Sequence, residues 1–310
     1  MSSINLALSQ SRTKGIALVL IGAVLWGVSG TVAQYLFQQK GFSPEWLVVI
    51  RLLIAGTILL GAASTKEKHR VWAIWKNKRD VFSLVLFSIL GMLAVQYTFF
   101  AAIKHSNAAT ATILQYLAPV LISCYLAVRT KRLPMKIEII AIVLAVFGTF
   151  LLVTHGSIQN LSISGAALFW GLTSAVALAY YTLQPLKLLS RWGSSITIGW
   201  GMLIGGISFS FIHPPWRFEG QWSLDSYLAV IFIVIFGTLI AFYCYLESLK
   251  YINASEASLL ACIEPLSAAF LAVIWLGVTF GLEDWLGTLC IICTIVILSL
   301  IKNKEVSNEN

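Results

Sequence analysis

Glu264 and Pro265 stand inside a run of small and apolar residues, ESLKYINASEASLLACIEP over Glu247–Pro265. A carboxylate in such a place can exchange a proton, bind a cationic group of a ligand, or serve as a protonated hydrogen-bond donor. If the helix begins near Ala254, Glu264 lies about ten residues into it, roughly 15 Å, which is half the hydrocarbon thickness of a bilayer. Arg51, in WLVVIRLLIAG, has the opposite charge and is the single Lys or Arg inside an apolar span. About 8 Å below the span's outer end, it can either snorkel to the headgroups or attract an anionic group such as a carboxylate. Asn107, Gln115, Asn253, Gln96, Tyr97 and Tyr243 add donors, acceptors and aromatic faces, and with Glu264 and Arg51 they are the candidates for substrate binding or coupling. Tyr residues near span ends also serve as interfacial belt residues.

Pro119 and Pro265 each remove a backbone donor and free a carbonyl one turn earlier, near Gln115 and Ala261. Free carbonyls at membrane depth survive only beside protein or water, so the two prolines mark either helix breaks at a cavity or packing kinks. Asn107, Ala111 and Gln115 are spaced four apart, as are Asn253, Ala257 and Ala261, giving each helix a narrow polar-to-small stripe that also suits close helix packing.

These positions recur. KHSNAATATILQYLAP over Lys104–Pro119 matches Lys250–Pro265 at an offset of 146, with six identities in sixteen positions: Lys104, Asn107, Ala108, Ala111, Leu114 and Pro119 against Lys250, Asn253, Ala254, Ala257, Leu260 and Pro265. Gly91 and Tyr97 extend the register to Gly237 and Tyr243. The chain is a tandem duplication.

The elements carrying these residues must lie in a bilayer. The 310 residues are 58% hydrophobic and 11% charged, with mean hydropathy +0.86, beyond the range of soluble globular domains. Ten apolar segments follow one another at about 15–37, 46–63, 82–103, 108–128, 135–153, 164–184, 195–212, 227–249, 254–277 and 285–301. The first is too long for a secretory h-region and reads as a retained helix. Seventeen of the 21 Lys and Arg fall in the tails and alternate connections, against Lys40, Lys104 and Arg217 on the other side, which places both termini in the cytoplasm. The net charge of +8 is therefore a topology signal, and no nucleic-acid partner is expected. Five spans per half is an odd number, so the second copy must enter the membrane upside down, as in secondary transporters with inverted repeats. The expected division is a cytoplasmic tail at 1–14, a first repeat at 15–153, an external linker at 154–163, a second repeat at 164–301 and a cytoplasmic tail at 302–310.

Other motifs carry less. Cys290-x-x-Cys293 lies in the last apolar span without a His or a second Cys pair, and small buried residues explain it. Asn160-Leu-Ser162 and Asn253-Ala-Ser255 fit the glycosylation pattern, which matters only in a secretory pathway. There is no phosphate loop, HExxH motif or nucleophile elbow, so no catalytic residue, metal or cofactor is expected, and the chain does not read as an enzyme.

The A-x-K-x-x-N-A-x-x-A-x-x-L stretches running to Pro119 and Pro265, Arg51 in the second span and the Glu264-Pro265 pair resemble the EamA type of the drug/metabolite transporter superfamily, over about residues 15–301. Leu133-Pro134 and Thr279 to Asp284 stand where that family often carries Gly-Glu. The resemblance implies an all-α membrane protein of ten transmembrane helices in two inverted five-helix repeats. It also implies a secondary transporter in the cell membrane, exporting small organic metabolites such as amino acids. The expected partners are a small-molecule substrate, the lipid bilayer and protons, in a form compatible with a homo-oligomer. The alternatives are a metabolite sensor or receptor without transport, and a facilitator without ion coupling.

Overall fold

The structure is a computed structural model that describes residues 2–129, 131, 136–154, 163–248, 251–252, 260–261 and 263–308. Every regular element among the described residues is helical, as a bilayer demands of segments that must satisfy their own backbone. Helix α1 (Ser2–Gln39) leads into α2 (Pro44–Ala73) through a turn where Gly41 adopts φ +68. Ser43 caps α2 by accepting from Trp46 N, and Pro44 takes the first helical position, where a missing N–H costs nothing. The next rod is composite: α3 (Lys78–Leu86), a π-helical stretch over Phe87–Leu93, and α4 (Ala94–His105). It is followed by α5 (Ala108–Gln115), α6 (Ala118–Arg129) and α7 (Lys136–Thr154).

The second half repeats this plan. It comprises α8 (Gly165–Leu183), α9 (Leu186–Trp192), α10 (Ser194–Ser210) and a composite rod of α11 (Leu224–Val234), a π stretch over Ile235–Ile240 and α12 (Ala241–Ser248). Helices α13 (Ile263–Ile274) and α14 (Leu282–Asn308) complete it. The two π stretches fall in nearly the same register, since the 146-residue offset carries 87–93 onto 233–239. The duplication therefore reaches local backbone geometry, and each π stretch contains one of the paired glycines, Gly91 or Gly237.

Two glycines show how the halves meet. A Cβ on Gly56 would lie 2.7 Å from Leu203 N, and a Cβ on Gly206 would lie 3.1 Å from Leu53 N. The exchange is reciprocal, with the later residue of each helix against the earlier residue of the other, so α2 and α10 pack antiparallel at backbone contact. The core beside them holds Leu47, Leu52, Phe87, Phe100, Ile103 and Met202, all buried. Large apolar side chains such as Val143, Phe169, Val176 and Phe211 face outward, as on a lipid-facing surface.

Among the described residues, five helical stretches are long and apolar enough to cross a membrane: Arg12–Gln39, Pro44–Thr65, Lys78–His105, Gly165–Leu183 and Leu224–Tyr245. Shorter apolar stretches lie at Ala108–Ile122, across α5 and the start of α6, and at Ile139–Leu151 and Ile263–Ile274. The structure corrects the single span expected at 108–128, because α5 ends at Gln115, Tyr116 and Leu117 form a turn, and α6 starts afresh. At the chain ends α1 extends into the 1–14 tail and α14 into the 302–310 tail.

Candidate functional site

The two helix breaks meet. In the first, Tyr116 (φ -69, ψ 3) ends α5 and Pro119 follows as the second residue of α6. In the second, Ala261 lies in a turn and Pro265 is the third residue of α13. Both prolines therefore occupy first turns, where the absent N–H and fixed φ fit a helix start, rather than kinking a continuous helix. The Tyr116 hydroxyl lies 3.2 Å from Ala261 O and donates to Glu264 Oε2 at 2.9 Å. The carbonyl exposed by the second break is thus engaged by a side chain from the first.

Glu264 differs from its expected setting. It is not ten residues inside a helix but in the first turn of α13, half-buried, with its own N–H donating to Ala261 O at 2.9 Å. That end of a helix carries partial positive charge and favours a carboxylate. The proton count at the contact is informative. One hydroxyl proton on Tyr116 faces two acceptors while Glu264 is ionised. When Glu264 carries a proton it can donate to Tyr116 Oη, which frees the Tyr116 proton for Ala261 O. The cluster holds either state with a change of hydrogen-bond direction and no large movement. Gly27 brings α1 against it, since a Cβ there would approach Glu264 O to 2.6 Å and collide with Ser267 Oγ.

Arg51 turns inward. It is 5% exposed, so snorkelling to the headgroups does not describe it. Its Nε donates to Thr238 Oγ1 at 3.1 Å, in the π stretch of the opposite half, and its guanidinium lies 4.7 Å from the Phe100 ring centroid. The π geometry is what offers Thr238: its hydroxyl donates to Ile233 O, five residues earlier, at 2.9 Å.

The other sequence candidates divide. Gln96 is buried beside Met92, with Nε2 to Sδ at 3.8 Å, and Gln115 is buried at the end of α5. Tyr97 donates to Glu45 Oε1 at 3.0 Å and packs edge-on to Trp170. Asn107 serves as the N-cap of α5, its side-chain oxygen accepting from Thr110 N at 2.8 Å. Tyr243 is 59% exposed on the outer surface and is not brought to the seam. Asn253 lies outside the described residues, as do Lys250 and Ala257, and Pro119 is described only by its place in α6.

Sequence reasoning passed over Tyr116, Thr238, Gln34 and Gly27. Gln34 is 2% exposed, accepts from Ala108 N at 2.8 Å and donates to Gln38 Oε1 at 3.1 Å, tying α1 to the start of α5. A signal for Gly27 was available in the Trp-Gly pairs Trp26-Gly27 and Trp170-Gly171. Each glycine faces the broken helix of the opposite half, Gly27 at Glu264 and Gly171 at Leu114.

A family model described as the EamA-like transporter family matches residues 13–154 and again 165–300. The chain is 44% identical over 293 residues to the uncharacterized inner membrane transporter YicL of Salmonella typhimurium, covering 94% of this chain and 96% of the relative. It is 27% identical over 296 residues to the uncharacterized transporter YwfM of Bacillus subtilis, covering 94% and 95%. The uncharacterized inner membrane transporter YedA of Escherichia coli K12 is 23% identical over 292 residues, covering 89% and 88%. A solved structure, described only as a crystal structure of protein, superposes with a TM-score of 0.62 at 16% identity, covering 96% of this chain and 98% of the other, and so shares the fold.

Proposed function

Because this chain belongs to the EamA-like transporter family, with two EamA domains, and is a membrane transporter rather than an enzyme, we propose that it is a secondary exporter of small organic metabolites such as amino acids. Its frame is two inverted five-helix repeats, 15–153 and 164–301, making ten spans with both termini in the cytoplasm. The antiparallel pairing of α2 with α10 and the distribution of Lys and Arg support that reading. The relative YicL is named an inner membrane transporter, and we place this chain in the same kind of membrane.

The contact that carries the proposal is Tyr116 to Glu264 and Ala261, where the two broken helices touch across the repeats. Substrate passes along the seam between the halves, past Gln115, Gln96 and Tyr97, and Glu264 exchanges the proton that couples the cycle. Gln keeps the size of Glu264 and can donate to Tyr116 Oη but cannot exchange a proton. Substrate is to be identified by comparing the medium of deletion and overexpression strains, then assayed in liposomes. Glu264→Gln is expected to retain substrate exchange and to lose its response to an imposed pH gradient. Gradient-driven transport unchanged in the variant removes Glu264 from coupling.

A further inference from the structure

Arg51 is a buried cation without a fixed counterion among the described residues. Its side chain is 5% exposed, and the described ion pairs lie elsewhere, at Asp80 and Glu219. A guanidinium stays charged at any physiological pH, and a charge out of water is normally paired. Here two of its surfaces are already used. Nε is given to Thr238 Oγ1 and one face of the plane rests on Phe100, while no hydrogen bond is formed by the two Nη groups among the described residues. Thr238 cannot neutralise the charge. Its proton is committed to Ile233 O, so it offers Arg51 only a neutral lone pair.

What remains is the end of the fork, two parallel N–H directions held by packing from α2, α4 and the π stretch of the second half. That edge matches the two oxygens of a carboxylate. π stretches inside helices are also frequent at functional sites, and this one supplies the residue that fixes the guanidinium. We infer that Arg51, oriented by Thr238 and Phe100, is the binding point for the carboxylate of the transported molecule, which supplies the counterion the protein lacks. The substrate class is therefore a carboxylate-bearing small metabolite, and this assignment rests on the transporter reading above. Since Thr238 belongs to one half and Arg51 to the other, relative movement of the halves changes the orientation of the fork and with it the affinity.

The test uses the purified full-length protein in detergent, with melting temperature read against a panel of free L-amino acids, their C-terminal amides and sodium chloride. Amino acids including leucine and phenylalanine span the apolar side chains, and each amide keeps the shape but lacks the carboxylate. At least one acid is expected to raise the melting temperature while its amide does not, with apparent affinity falling on the order of a hundredfold in Arg51→Met. Without ligand, Arg51→Met is expected to melt higher than the parent, because it removes an unpaired buried charge while keeping side-chain volume. A lower unliganded melting temperature in Arg51→Met makes the residue structural and overturns the inference. So does protection by amides equal to that by acids, no protection by any acid, or protection by chloride equal to that by acids. Liposome flux separates this from the transport reading. Carboxylate binding without flux contradicts transport and leaves the subsite standing, whereas equal flux of acid and amide, unchanged in Arg51→Met, contradicts the subsite alone.

Discussion

Two junctions at opposite ends of the bundle make the same topological contact with different chemistry. At each, the connection preceding the second span of one half meets the connection following the second span of the other. In the proposed topology the outer junction joins 40–43 to 211–223. Gln221 N donates to Lys40 O at 2.8 Å, Trp46 Nε1 donates to Pro215 O at 3.0 Å, and Phe42, Trp46, Phe218 and Trp222 pack in edge-on and tilted pairs. The loop closes over Phe42 at Gly220, whose φ of +88 and contact with that ring leave no room for a Cβ. The inner junction joins the region of α9 to the start of α3. There Asp80 Oδ2 accepts from Trp192 Nε1 at 3.0 Å and pairs with Arg191 Nη1 at 2.9 Å, while Trp200 Nε1 donates to Val71 O at 2.9 Å.

The difference is one of dielectric response. The outer junction is held chiefly by aromatic area and backbone hydrogen bonds, which salt barely affects, with the ion group of Glu219, His213 and Arg217 at its edge. The inner one uses an ion pair whose Arg191 side chain is 56% exposed, so it is screened by salt. A transporter whose halves rock must break one junction while keeping the other. In the transport cycle proposed above, unequal construction would give the two open states different sensitivities to the solution.

The largest effect is expected from Trp46→Ala, which empties the centre of the outer aromatic cluster and leaves Pro215 O without its indole. Trp46 is 2% exposed, and truncating a buried Trp costs about 3–5 kcal/mol. Melting in detergent and protease cutting within 211–223 should both report it. A melting temperature within error of the parent would show that the cluster does not hold the junction. A smaller effect is expected from Asp80→Asn, which keeps an acceptor for Trp192 but loses the pairing with Arg191. The loss should be about 1 kcal/mol or less, present at low salt and absent at high salt. Equal losses at both would show that the loss does not come from the pairing with Arg191.

The smallest effect concerns acid. Burial alone would raise the Glu219 carboxyl, but hydrogen bonds from His213 and Ser43, with the charge of Arg217, outweigh it and hold Glu219 below its ordinary value of 4.5. A depressed carboxylate stabilises the folded state above its unfolded value, and that contribution is lost as pH falls through the folded value. The outer junction should therefore loosen slightly below pH 4.5, and Glu219→Gln should flatten that part of the melting curve. A parent and variant with parallel curves would leave the ion group without a part in the junction.

Much of the frame was legible in the residues. Apolar runs located the helices, and the 146-residue offset located paired elements that share even a π stretch. What local pattern could not express was the partner across the repeats. A hydropathy run treats 108–128 as one segment, because Tyr116 and Leu117 remain apolar enough to hide a turn. Arg51 could be placed by depth but not by direction, since its direction depends on Thr238, 187 residues away, being turned by a π stretch. Asn107 shows a second limit: a polar residue in an apolar context suggested binding, and the local pattern did not show that the start of a new helix at Ala108 also gives it a capping task.

The central claim is that the seam at the two helix breaks opens to both sides of the membrane in turn. Gln115, buried at the end of α5, is the position to probe. A Gln115→Cys variant in a background lacking the five native cysteines, sealed in right-side-out and in inverted vesicles, can be challenged with a membrane-impermeant maleimide. The expected result is labelling from both sides, with labelling from the outer side abolished when a cross-link ties residues 40–43 to 211–223. Labelling from one side only, or labelling from the outer side unaffected by that cross-link, would contradict alternate opening through this seam.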